Sequence, residues 1–146
     1  MNNETKILIV DDDDTIRTTM KAILEDEGYD VDLAASGKEG IEKSKETNYN
    51  IALLDIRLPD MEGVELLKLI KPTVPRTRKI MVTGYPSTQN AIYALNKNAD
   101  AYLIKPVDIE KLLNTIKEQL KLQEEERKFS EQKVAEFIES RVKEII

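Results

Sequence analysis

Five short apolar runs, each followed by an amphipathic helical pattern, constrain this 146-residue chain more than any other feature. The runs are Lys6–Val10, Asp30–Ala34, Ile51–Leu54, Lys79–Val82 and Ala101–Ile104. Each has the length of a strand and is rich in Ile, Leu or Val, which suits strands buried on both faces. The first helical pattern places Ile16, Met20, Ile23 and Leu24 on one side, and Gly28 follows as a C′ residue. The second opens with Ser36 and Glu39 at capping-box spacing. The third runs near Val64–Ile70 and stops before Pro72. The fourth follows Ser87, with Ile92 and Leu95 inward. The fifth follows Asp108, with Ile109, Leu112, Leu113 and Ile116 inward. Five βα repeats with short links imply an α/β fold: a five-stranded parallel sheet with helices on both faces. In such sheets functional residues collect at the carboxyl ends of the strands.

The helical pattern continues beyond the fifth helix. Residues 123–133 are polar except for Phe129, and then Val134, Phe137, Ile138, Val142, Ile145 and Ile146 return at helical spacing. The expected organisation is a domain over residues 1–121 and a helical C-terminal extension over 122–146. A heptad frame through Ile109 and Ile116 puts Gln123, Arg127, Ser130 and Arg141 at later core positions, so a continuous coiled coil is not expected. The apolar stripe must still be buried, either by self-association, by docking on a partner, or by packing on its own domain.

Composition removes whole classes of function. Hydrophobic residues at 40% and charged residues at 34% support a packed core and exclude wholesale disorder. Cysteine and histidine are both absent, which excludes disulfides, thiolate chemistry, zinc sites of the usual His/Cys kind, His-based nucleophile systems and phosphohistidine carriage. A net charge of −6 argues against binding to a nucleic-acid backbone, and no DNA-reading motif fits the chain. There is no basic-then-apolar start and no membrane-length apolar run, so a cytoplasmic protein without membrane contact is expected.

The chemistry-bearing residues stand at strand ends. The first strand runs into Asp11, Asp12, Asp13 and Asp14, the third into Asp55, the fourth into Thr83, and the fifth into Lys105 and Pro106. A parallel sheet would bring them to one mouth. Clustered carboxylates repel unless a cation neutralises them, and all-oxygen donors suit magnesium. A lysine beside them can pair with a carboxylate or a phosphoryl oxygen. A carboxylate can attack phosphorus to give an aspartyl phosphate. Taken singly, each residue has a plainer explanation. The aspartate run can be a solvated loop that caps the next helix, and Asp55, Thr83 and Lys105 can be turn or surface residues. Together, four strand ends carry what one phosphoryl site needs.

The segments ILIVDDDD, ALLDIRLPDMEG, IMVTGYPS and AYLIKP, in this order and spacing, resemble the receiver domain of two-component response regulators over about residues 5–120. The resemblance implies a flavodoxin-like receiver fold with Asp55 as phosphoacceptor. It implies Mg2+ held by Asp11, Asp12, Asp55 and the backbone carbonyl of Arg57, with Asp12 a direct ligand and Asp11 acting largely through water. Thr83 would bind a phosphoryl oxygen, Lys105 would pair with the phosphoryl group, and the Lys105–Pro106 bond would be cis. Tyr102 would be the aromatic switch residue that turns inward on activation, and Gly63 matches the family glycine after the third strand. The donor would be a sensor histidine kinase and the output a switched surface, built from the fourth helix, fifth strand and fifth helix, that meets a downstream protein. A homodimer is compatible with this. The domain would be a phosphoacceptor signalling module, catalysing only its own phosphoryl transfer and dephosphorylation. Asn98 departs from the family's glycine, and Arg57 and Tyr85 are bulky residues flanking the approach of water to phosphorus. Asp14 is expected to open the first helix with its carboxylate capping amides.

Two other readings compete. Asp11, Asp13 and Thr15 spell the D-x-D-x-T start of haloacid-dehalogenase-like phosphohydrolases, with Asp11 as nucleophile and Asp13 as general acid/base. That family needs an acidic pair after a further strand, whereas Asp108 opens a helix, and it leaves Asp55 and the LPDMEG turn unexplained. A degenerate receiver acting only as a binding module is the second, opposed by the full set of site residues.

Overall fold

The computed structural model describes residues 4–84 and 99–145 of the chain. Five strands, β1 (Lys6–Val10), β2 (Asp30–Ala34), β3 (Ile51–Asp55), β4 (Arg78–Thr83) and β5 (Ala101–Ile104), form one sheet in the order β2-β1-β3-β4-β5. Every neighbouring pair is parallel. The helices are α1 (Asp14–Asp26), α2 (Gly37–Glu46), α3 (Gly63–Leu69) and α4 (Ile109–Ile145). The helical pattern after Ser87, with Ile92 and Leu95, lies outside the described residues, as do Tyr85, Asn98 and Ile146. The C-terminal helix α4 is the fifth pattern of the sequence.

The apolar runs fold as central strands because both faces of the sheet are covered. Along β1, Ile7 and Ile9 enter a cluster with Met20, Leu24, Leu112 and Ile116, from α1 and α4. Leu8 and Val10 enter the opposite cluster with Leu66 and Leu67 from α3. The same division splits β3, with Ile51 and Leu53 on one side and Ala52 and Leu54 on the other. β3 runs one residue further than the apolar run suggested and β4 one residue further at each end, because Asp55, Arg78 and Thr83 also pair in the ladder.

The helix ends follow local chemistry with one correction. Gly28 has φ 93, the left-handed conformation that ends α1. The Ser36 hydroxyl accepts from the Glu39 amide at 3.2 Å, and Glu39 reaches back to the Ala35 amide at 2.9 Å. At α1, however, the capping carboxylate is Asp13, which accepts from the Ile16 amide at 3.0 Å. Asp14 is the first residue of the helix and pairs with Arg17 instead.

α4 is one continuous helix of 37 residues. Leu112 and Ile116 are buried as expected, but Ile109 is 53% exposed, since the chain has only just left the sheet there. Gln119 and Gln123, polar in sequence, are buried. The Gln123 amide nitrogen donates to the backbone carbonyls of Asn50 at 3.0 Å and Arg76 at 2.9 Å, and its carbonyl accepts from Asn50 at 2.9 Å. Arg78 holds Glu126 at 3.0 Å. From Glu131 to Ile145 every residue is exposed, so the apolar stripe does not pack back on its own domain.

Candidate functional site

The chain leaves β1 for β2 on one side and returns to place β3 on the other. The strand order therefore reverses between β1 and β3, where open α/β sheets bind ligands. Asp11 and Asp55 flank that crevice at the carboxyl ends of the two strands. A cavity of about 370 Å³ opens there, lined by Asp11, Asp12, Asp55, Arg57 and Lys105 among others.

Asp11 is buried and held from three directions. Its carboxylate accepts from the Asp13 amide at 2.9 Å and from the Lys105 ammonium at 2.7 Å, and its carbonyl accepts from Arg17 at 2.7 Å. Asp55 is 6% exposed. Its carboxylate lies 3.4 Å from the Lys105 Nζ and accepts weakly from the Arg57 amide at 3.5 Å. One carboxylate oxygen from each of Asp11, Asp12 and Asp55 falls within 4.8 Å of the others. Asp12 is exposed, so this group is open to solvent on one side.

Burial pushes the Asp55 carboxyl above its ordinary range, and the adjacent Asp11 charge adds to the shift. Lys105 and the Arg57 amide pull the other way without reversing it. Burial opposes the charge of Lys105, yet its bond to Asp11 and the charges of Asp11 and Asp55 leave its ammonium more firmly protonated than usual. One cation thus serves two buried carboxylates. The donor chemistry, three carboxylates with one negative charge in excess beyond Lys105 on the buried pair alone, fits a hard divalent cation.

The remaining expected residues surround this cluster. Thr83 is fully buried at the end of β4, and its carbonyl accepts the Lys105 amide at 2.7 Å. The Lys105–Pro106 bond is cis. Tyr102 packs on the Leu8 and Leu54 side of the sheet with its hydroxyl buried. Gly63 is required by space, because a Cβ there would lie 2.1 Å from the Asp55 carbonyl oxygen. The Asp13 carboxylate caps α1, accepting from the Ile16 amide. Among the described residues β5 is followed directly by α4, with no further strand.

Residues 7–117 match the response regulator receiver domain family. The chain belongs to that family. The transcriptional regulatory protein ZraR of Klebsiella oxytoca is 41% identical over 117 residues, which are 80% of this chain and 26% of ZraR. The chain thus spans about a quarter of that relative. A CheY-like receiver domain protein from Methanospirillum hungatei JF-1 has a crystal structure that is similar at 52% identity and a TM-score of 0.79, covering 84% of this chain and 98% of that one. A response regulator from Burkholderia pseudomallei, with a phosphorylated aspartic acid, calcium ion and citrate in its crystal structure, is 28% identical with a TM-score of 0.71, over 84% of this chain and 72% of that one. The phosphohydrolase reading is not supported, and the protein is a receiver domain of two-component response regulators, a signalling domain.

Several residues of the receiver's site region carry no signal in the sequence pattern. The Asp60 carboxylate accepts from the Gly37 and Lys38 amides, both at 2.9 Å, and these bonds lower its pKa while tying the β3–α3 loop to α2. Arg17 braces the Asp11 carbonyl from one turn inside α1. Only the i, i+3 spacing of Asp14 and Arg17 hinted at either contact of that arginine.

Proposed function

We propose that Asp55 is the phosphoacceptor of this receiver and that a sensor histidine kinase is the donor. The observation that supports it most is a buried, unusually basic carboxylate 3.4 Å from an ammonium group at the strand-order reversal. In the reaction an Asp55 carboxylate oxygen bonds to phosphorus as the bond between phosphorus and the kinase imidazole breaks. Desolvation raises the basicity of that oxygen, and Lys105 pairs with the phosphoryl oxygens, drawn from its present position between Asp11 and Asp55. Asp11, Asp12, Asp55 and the backbone carbonyl of Arg57 would hold Mg2+, which supplies charge neutralisation for the transferring group. The Thr83 hydroxyl would take a phosphoryl oxygen, and Tyr102 would report the change to the surface around β5. The phosphorylated and unmodified states would then differ in affinity for a downstream protein.

This reading places the receiver over residues 1–121 and the helical extension over 122–146, in the cytoplasm, acting through protein contacts rather than by binding nucleic acid directly. The test is labelling with acetyl phosphate and magnesium followed by peptide mapping. One labile phosphate on Asp55, lost in Asp55→Asn, is expected. A label on Asp11 or Asp13 would refute the assignment. No label at all would favour a receiver that only binds.

A further inference from the structure

Beyond Glu126 the helix α4 leaves its domain while carrying Val134, Phe137, Ile138, Val142 and Ile145, between 46% and 84% exposed. Val134 and Phe137 share a side of the helix with the buried residues, Ile138 and Ile145 border that side, and Val142 lies further round. Val134, Phe137 and Arg141 each stand 18 residues after a buried residue, Ile116, Gln119 and Gln123. Eighteen residues make about five turns at 3.6 residues per turn, so the exposed stripe prolongs the face that the sheet covers. The stripe therefore overhangs on the side where the domain stands. Gln123 and Glu126, bonded to Asn50, Arg76 and Arg78, keep the helix from rotating away.

We infer that this stripe is a dimerisation surface and that its occupant is the same stripe of a second copy, running antiparallel. The stripe offers on the order of 500 Å² of apolar surface per chain, so a pair buries about 1,000 Å², the lower bound for a specific interface. Orientation follows from the shared face. A parallel partner would drive its own Ile116–Gln123 segment into the space that the first chain's sheet fills. It would also oppose Arg141 to Arg141 on the stripe. The antiparallel pair sets Val134 against Ile145, Phe137 against Val142 and Ile138 against Arg141, whose guanidinium is already held by Glu144 at 3.3 Å and lies 5.1 Å from the Phe137 ring centroid. The overlap stops eight residues short of Glu126, about 12 Å of helix, and stays clear of the domain. Residues 127–145 hold five basic and four acidic side chains, too balanced for attraction to an anionic membrane. The inference is independent of the role of Asp55.

Sedimentation velocity on the full chain, from micromolar to hundreds of micromolar, is expected to show a monomer–dimer equilibrium. Phe137→Glu should weaken it at least about tenfold, with an unchanged thermal melt at concentrations where the parent is monomeric, because within one chain the side chain is exposed. The chain has no cysteine, so introduced ones report orientation cleanly. An oxidised mixture of Val134→Cys and Ile145→Cys chains should give a mixed disulfide dimer, while Val134→Cys alone should form no disulfide-linked dimer. A monomer at every concentration would overturn the proposal. So would rapid self-crosslinking of Val134→Cys, or a monomer that binds phosphatidylserine vesicles through the stripe.

Discussion

Gly63→Ala isolates the contact that sets the shape of the site. Among the described glycines only Gly28 has a positive φ, so the demand at Gly63 is for space and not for an unusual dihedral. An added Cβ would meet the Asp55 carbonyl oxygen at 2.1 Å, the Ile56 Cα at 2.8 Å and the Asp55 carbonyl carbon at 2.9 Å. All three are backbone atoms, so no rotamer change relieves the clash. The Gly63 amide also donates to the Ile56 carbonyl at 2.7 Å, and a shift large enough to admit the methyl stretches that bond. Overpacking costs about 1–3 kcal/mol and the strained hydrogen bond about 0.5–1.5 kcal/mol. The preference of a helix for alanine over glycine returns about 0.5–1 kcal/mol. The net loss is about 2–3 kcal/mol, which in a chain of this size lowers Tm by roughly 5–10 °C. Urea unfolding should show a lower midpoint with the same slope. Phosphorylation by acetyl phosphate should slow as well, because the displaced atoms belong to Asp55. Gly84→Ala is the control, since its Cβ would meet nothing nearer than Lys105 at 3.9 Å. A Gly63→Ala midpoint equal to or above that of the parent would refute the reasoning.

Other expectations follow from the same geometry. The raised pKa of Asp55 means that the folded protein keeps a proton the unfolded chain has already lost, so stability falls as pH rises through that window. Without divalent cations, Asp55→Asn should therefore melt above the parent at neutral pH, with the gap closing toward the ordinary carboxyl value of 3.8; a gap independent of pH would contradict this. Asp12→Ala should weaken magnesium binding in calorimetric titration far more than Asp14→Ala, because Asp14 pairs with Arg17 on the helix. Equal effects would mean that the acidic run is misassigned. Gln123→Ala strips partners from the Asn50 amide and from the Asn50 and Arg76 carbonyls and should cost about 2–3 kcal/mol, read in the melt; an unchanged Tm would show that water replaces the amide.

Much of the strand arrangement was legible because burial on both sheet faces leaves an unbroken apolar run, as in Ile7–Val10 and Ile51–Leu54. The end of each run then fixed where Asp11, Asp55, Thr83 and Lys105 would stand, and local spacing alone revealed the cap at Ser36 and Glu39. Periodicity compares residues within a few positions of one another, so it could not find contacts between distant ones. Asp60 capping α2 joins residues 22 and 23 positions apart, and Gln123 bonding Asn50 joins residues 73 apart. That is why Gln123, which broke the apolar heptad frame in the sequence, is an anchor of the helix. The same limit separated Asp13 from Asp14, since four like residues in a row differ only in where the backbone turns into α1. The sequence by itself determined that α4 carries an apolar stripe at helical spacing. Only the tertiary structure decided that the stripe continues the sheet-facing side and overhangs the domain uncovered, because the rotation of a helix about its axis is set by what it packs against.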